Sequence, residues 1–398
     1  MISVLFANFA LRRAMIDPAN LGELKAAVKD CIEADREVLE TLREEVRQLK
    51  RKVCKIRPRE TTSISLVATD GGENQIRFDP FLIQLVRVVD SNHKQYYLDV
   101  VSPTTPIRVL NERHMGSSNL PTTALGKMMR FLGVSSLTEL SHMIRPDEQE
   151  KLGYSQWINV YRELVEWAVL FSLLEEGSEK GFTSDTLIVW DGLLRSKVFA
   201  GDLFRKLIDG IEARIEGIKK KQKCQIYLVG VAKRSKVLQR YRLAMALEGV
   251  LQTNYPAYVE IPREIEEKAY IWVEYARGDD YLIEGGEVNK MVGGKMFLVK
   301  FGSHRHDPIW PVDIFIHQEE EAPKILGYLL ADAQNGFPIP YYPRCLQRAH
   351  ENAALVDFDL DILQDAIYEA LRSALDGKPE ILDSFRLWEA DPARSRYT

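Results

Sequence analysis

The sequence predicts an α/β protein, a sheet flanked by helices with a long helix ahead of it. Three observations carry that prediction. Residues 185–191 (DTLIVWD) are almost continuously apolar, the pattern of a strand covered on both faces. From that run to residue 251, strand and helix patterns alternate, as in sheets assembled from strand–helix–strand units. Upstream, residues 81–90 (FLIQLVRVVD) and 94–102 (KQYYLDVVS) read as antiparallel neighbours.

Taken in order, residues 18–53 read as one long amphipathic helix. Leu21, Leu24, Val28, Ile32, Val38, Leu42, Val46, Leu49 and Val53 recur near a 3.5-residue spacing, and Asp35 interrupts the seam. Such a helix serves as a coiled-coil or dimer arm, or packs on its own domain. Arg57–Glu60 closes the segment, so 1–57 is read as a helical arm. SISLVATDGG (63–72) reads as a buried strand entering a tight turn. Residues 102–150 read as an insertion: a loop through PTTPIRVLNERHMGSSNLPTTAL, then short helices at LGKMMRFLG and SLTELSHMI. Residues 154–176 form a helix free of Pro and Gly. After the apolar strand come a helix over 199–222, a core strand at QIYLVGVAK (225–233) and a helix over 236–251. Strands return at 296–302 and 312–318, and helices over 320–334 and 359–375 finish a body spanning 58–378. Residues 379–398 are a polar tail.

Composition narrows the function. The chain has 398 residues, 45% hydrophobic and 28% charged, with net charge −5. That is an ordinary globular composition, and any nucleic-acid site has to be a local basic patch. Cys31, Cys54, Cys224 and Cys345 lie far apart with no C-x-x-C pair, so neither a zinc site nor a disulfide framework is expected. Reduced thiols fit a cytoplasmic protein. The N-terminus lacks a basic segment before its apolar run, so no signal peptide is read, and no apolar run reaches membrane-span length. Walker, dinucleotide, zincin and serine-elbow motifs are missing from the sequence, which leaves ATP hydrolysis, nicotinamide chemistry and serine hydrolysis unsupported.

What chemistry there is centres on two aspartates. Asp70 and Asp191 each end an apolar run on an Asp-Gly step. A carboxylate at the rim of an open α/β sheet sits where ligands bind, and the glycine lets the chain turn sharply. Two such carboxylates side by side repel unless a cation lies between them, and hard oxygen ligands suit Mg²⁺ or Mn²⁺. The competing reading is that Asp-Gly is ordinary turn chemistry. Glu166 stands among apolar neighbours on the 154–176 helix, as a site carboxylate or as its wet face; Glu163, Glu175 and Glu176 read as solvated. His350 reads as a ligand, a proton carrier or a structural residue. His304 and His306 read as a polar loop, and the Lys219–Lys223 run as a solvated helix end. Lys233 begins a basic cluster with Arg234, Lys236, Arg240 and Arg242 at the end of a core strand. It can neutralise a phosphate or simply open a solvated loop.

Five segments in order resemble the NurA nuclease family: VATDGG (67–72), RELVEWA (162–168), LIVWDGLL (187–194), LVGVAKRS (228–235) and GFPIPYYPRCLQRAH (336–350). The resemblance covers roughly residues 60–375. It implies an RNase H-like mixed sheet and a Mn²⁺-dependent (or Mg²⁺-dependent) DNA nuclease. It further implies a homodimer that works with a HerA-like hexameric translocase in DNA end processing. By position it makes Asp70, Glu166, Asp191 and His350 metal ligands, with Glu175 and Glu176 as alternatives to Glu166. Lys233 becomes the site lysine, contacting phosphate with Arg234, and Lys236 extends that basic surface. The family's tyrosine position is Phe337 here; Tyr341 and Tyr342 follow, with Tyr342 the better spaced and Tyr341 suited to stacking on a base. Rival readings are a non-catalytic DNA-binding scaffold, a phosphohydrolase of small substrates and a defence-system nuclease.

Overall fold

A computed structural model describes residues 20–60, 64–78, 81–116, 120–145, 156–270, 290–354 and 357–374. Its centre is a nine-stranded mixed sheet. The strands are β1 (Cys54–Lys55), β2 (Ser65–Phe78), β3 (Phe81–Asp90), β4 (Gln95–Val101), β5 (Thr186–Asp191), β6 (Ile226–Val231), β7 (Ala257–Glu260), β8 (Gly294–Lys300) and β9 (Ile309–Phe315). Their order across the sheet is β1-β7-β8-β9-β6-β5-β2-β3-β4. β2, β3 and β4 form an antiparallel meander, and β5 and β6 continue it in parallel. This is the RNase H-like arrangement that the resemblance implied. The remaining strands extend it antiparallel from β6.

The helices are α1 (Leu21–Ala34), α2 (Arg36–Arg47), α3 (Ile107–Met115), α4 (Ala124–Leu132), α5 (Leu137–Leu140), α6 (Gln156–Lys180), α7 (Leu203–Gln222), α8 (Lys236–Glu248), α9 (Arg263–Ala269), α10 (Ala322–Ala333), α11 (Arg344–Ala353) and α12 (Asp357–Ala374). Because side chains alternate along a strand, β5 sends Ile188 and Trp190 into the core under α4, α6 and α7. Its Leu187 and Val189 enter the opposite core under α10 and α11. This double burial is why residues 185–191 carry no polar alternation. A third cluster joins Val46 and Leu49, at the end of the arm, to α8, β7 and β8.

Three readings of the sequence are corrected. β2 does not turn at Asp70-Gly71-Gly72 but runs on to Phe78, because β3 offers it ten consecutive partners from Asp90 back to Phe81. The arm is not one helix: it breaks at Asp35, whose amide bonds back to Cys31 O, and α2 starts afresh before ending in a 3-10 turn over Gln48–Lys52. Within the stretch read as loop, Ile107–Met115 is helical, entered from Pro106 and left at Gly116 with φ 63°. β7, α9 and α11 were not anticipated. α1 buries none of its residues, and Leu21, Leu24, Val28 and Ile32 are exposed. His304 and His306 lie in an exposed turn, and Lys219–Lys221 form the exposed last turn of α7, as expected. Among the described residues no helix is long and apolar enough to cross a membrane. The N-terminal segment read for a signal peptide and the 379–398 tail lie outside the described residues.

Candidate metal centre

The parallel register brings the two aspartates together. Thr69 of β2 pairs with Trp190 of β5, so Asp70 and Asp191, the next residues, emerge side by side. Asp191 ends its strand, and Gly192, at φ 144°, turns the chain sharply away while its amide bonds Val231 O at 3.0 Å. Asp70 instead sits mid-strand; it reaches the rim because β5 stops beside it.

α11 delivers the third group. It packs on β2 and β3, and Asn352 Nδ2 ties it to Asp90 O at 3.0 Å. His350 Nδ1 then lies 2.8 Å from Asp70 Oδ2. One ligand atom from each of Asp70, Asp191 and His350 falls within 4.8 Å of the others. Lys233, in the short link between β6 and α8, donates to Asp191 Oδ2 at 3.3 Å. Tyr342 donates to Asp191 Oδ1 at 3.0 Å and to Val231 O at 3.3 Å. Its ring is fully buried, edge-on to Trp310 at 4.9 Å, with Lys233 Nζ 5.7 Å from its centroid. Gln347 fixes the loop that presents it: its carboxamide accepts from Ile339 N at 2.8 Å and donates to Ile339 O and Tyr342 O, each at 3.0 Å.

Glu166 flanks this group from α6. A Cβ built on Gly71 would collide with Glu166 Oε1, so the glycine makes room for the glutamate against β2. Arg162, one turn earlier, stands 3.3 Å from it. Glu166 is outside the tightest cluster of ligand atoms, yet its charge is felt together with those of Asp70 and Asp191. Glu175 pairs with Arg214 and Glu176 with Lys180 further along α6, so the structure brings Glu166 to the site and not those two.

The charges are crowded. Burial pushes the Asp70 carboxyl above the usual carboxylate range; Asp191 adds to the shift, while His350 and Lys233 oppose it. Burial drives Glu166 much further up, against the pull of Arg162 and with Asp70, Glu163 and Asp191 reinforcing it. Glu163, hydrogen-bonded by Ser196 Oγ at 2.5 Å, is also raised by burial. Burial, then Asp191, hold the Tyr342 phenol far above its ordinary value, so it stays a donor. Carboxylates this close are what a divalent cation relieves, and a mixed oxygen and imidazole donor set suits Mn²⁺. The residues therefore fit a divalent metal.

Arg234 and Lys236 are exposed and line a cavity of about 820 Å³ that opens beside Asp191 and Glu166. Tyr341 packs half-buried against the core under α10 and α11. The sequence reading missed Gln347, Arg162 and the Ser196–Glu163 contact. Of these only Arg162 had a local signal, its i,i+4 spacing to Glu166.

No protein-family model and no curated protein matches the chain. Solved structures similar to it include three of NurA. The NurA nuclease from Sulfolobus solfataricus is 13% identical, with 89% of this chain and 98% of that one covered and a TM-score of 0.40. A second NurA structure is 15% identical, with coverages of 89% and 99% and a TM-score of 0.40. A third, described as NurA bound to dAMP and manganese, is 14% identical, with coverages of 86% and 94% and a TM-score of 0.36.

Proposed function

We propose that this chain is a divalent-metal-dependent deoxyribonuclease of the NurA type. The observation that carries the reading is the convergence of Asp70, Asp191 and His350, from three distant segments, within 4.8 Å. Asp70, Asp191 and His350 would hold the cation, Mn²⁺ in preference to Mg²⁺, with Glu166 at its side. When bound, such an ion polarises a phosphoryl oxygen and acidifies a water. The side chains do the rest. Tyr342 and Lys233 occupy both oxygens of Asp191 and fix its carboxylate in the plane they define. Lys233, partly exposed, would exchange its contact with Asp191 for a phosphate oxygen. Arg234 and Lys236 neutralise neighbouring phosphates, and Tyr341 stacks on an unpaired base. Contacts of this kind read the backbone, so little sequence preference follows.

In this reading the chain works as a cytoplasmic homodimer in DNA end processing, alongside a HerA-like hexameric translocase. The test incubates the protein with end-labelled single- and double-stranded DNA in Mn²⁺, Mg²⁺ or EDTA. Cleavage should appear with Mn²⁺, vanish in EDTA and vanish in Asp70→Ala. A fully active Asp70→Ala protein overturns the proposal, and co-purification with a hexameric ATPase tests the partner.

A further inference from the structure

A second cavity, of about 400 Å³, opens at β4, the last strand of the sheet, and shares no residue with the one beside Asp191. Its walls are β4, the first turn of α4 and the second half of α6. The floor is fixed: Tyr97 Oη donates to Asp99 Oδ2 at 3.1 Å and lies 2.6 Å from Tyr161 Oη. Leu98, Val169 and Leu173 line it with apolar surface.

The charges around it favour an anion. α4 begins here: Thr123 Oγ1 accepts from Gly126 N at 3.1 Å, while the amide of Ala124 has no partner among the described residues. That is the positive end of a helix dipole. The same turn carries Lys127, half-buried and without an ion pair among the described residues. A cation at this position opposes the dipole, a local cost with no compensating contact inside the chain. The carboxylate in the lining, Glu176, is taken by Lys180 at 3.0 Å. Lys180, against burial and with Lys127 and Lys94 adding, holds that carboxyl below its usual range. Asp90, the acid behind Tyr96, already accepts from Asn92 N, Lys94 N and Tyr96 Oη.

Ser172 is an independent sign of a ligand. It lines the cavity at only 7% exposure, and its hydroxyl bonds nothing among the described residues. A serine inside a helix can bond the carbonyl one turn back. This one does not, which leaves its hydroxyl for an occupant of the cavity. The volume falls within the roughly 300–1,000 Å³ that encloses one small molecule.

We propose that this cavity binds a small amphipathic anion, its carboxylate or phosphate head at Lys127, Ser172 and the start of α4, its apolar or aromatic body against Leu98 and Leu173. Binding there needs neither the metal nor the nuclease reading.

Calorimetric titration in EDTA tests it, with phenyl phosphate and phenylacetate as probes and phenol and inorganic phosphate as controls. At least one probe should bind with a Kd of about 1 mM or below, and each control about tenfold more weakly. The tighter probe names the head group. Lys127→Glu should weaken binding about tenfold without lowering the melting temperature, since an acid suits the first turn of a helix. Ser172→Ala should weaken it about threefold. Lys236→Glu, beside Asp191, should leave it unchanged, which separates this site from phosphate capture at the metal centre. Binding of neither probe, phenol bound as tightly as the probes, or undiminished binding by Lys127→Glu overturns the proposal. So does a loss that follows Lys236→Glu in place of Lys127→Glu.

Discussion

Gly71 and Glu166 share one volume: the space that a side chain at Gly71 would fill is taken by the Glu166 carboxyl. In an ordinary strand, replacing glycine with alanine gains stability by removing backbone freedom from the unfolded chain. Here the collision sets the opposite sign. Gly71→Ala should cost about 1–3 kcal/mol, as overpacking does, and reduce cleavage by displacing Glu166. Adding Glu166→Ala should restore stability but not activity. Urea unfolding of the two single variants and the double variant closes this cycle.

Asp70→Asn removes the repulsion that Asp191 exerts on Asp70. In EDTA the variant should be more stable than the wild type by about 0.5–2 kcal/mol, the usual gain when a functional site is relieved of strain. Mn²⁺ at a hundredfold excess over its Kd should stabilise the wild type by about 2.7 kcal/mol and the variant hardly at all. Thermal melts with and without Mn²⁺ read both effects. A variant stabilised equally by the metal would remove Asp70 from the ligand set.

Tyr342→Phe keeps the ring against Trp310 and takes away only the hydroxyl. Val231 O still accepts from Gly192, so the loss falls on Asp191 Oδ1. A cost of about 1–2 kcal/mol in stability is expected. If the hydroxyl orients Asp191 for the reaction, kcat should fall about tenfold with KM steady, the equivalent of about 1.4 kcal/mol. An unchanged kcat would make Tyr342 a packing residue.

Acid stability should depend on a histidine remote from the centre. His114 is buried, its ring nitrogens 2.9 Å from Thr123 Oγ1 and 2.8 Å from Tyr161 Oη. Burial pushes its pKa down to about 4, with Asp99 raising it and Arg113 lowering it. Between pH 6.5 and 4 the unfolded chain therefore takes up the proton that the folded chain refuses. The stability this neutral imidazole contributes is complete above pH 6.5, falls as pH drops and is gone below 4. The amount is on the order of 3 kcal/mol. Urea midpoints at pH 7, 5.5 and 4.5 should fall less steeply for His114→Gln than for the wild type. Parallel curves would refute the assignment.

How much of this was legible beforehand varied by residue. Residues 185–191 announced themselves because a strand covered on both faces cannot alternate, and Asp191 was the first polar residue after the run. Asp70 was legible as a candidate ligand but not in its setting, since Asp-Gly-Gly has the composition of a turn. Only the long-range ladder to β3 overrides that local signal. α3 was hidden by the Pro, Ser and Gly on either side of it. Tyr342 was preferred to Tyr341 only on its spacing within the resemblance; the contacts with Asp191 and Gln347 that hold its ring inward join residues whose pairing local sequence does not show. The cavity beside Asp191 was invisible for the same reason: its walls come from stretches up to 127 residues apart in sequence, Met143 to Tyr270.

β5, flanked on both edges by parallel strands and covered on both faces, has a consequence for how the molecule loosens. Its amides are bonded into the region whose opening exposes the most apolar surface, so they should exchange with deuterium only on global unfolding. α1, with nothing buried, should exchange almost at once. Asp191 is therefore carried at the tip of the last segment to breathe, and warming should strip protection from the arm well before the carboxylate loses its place beside β6.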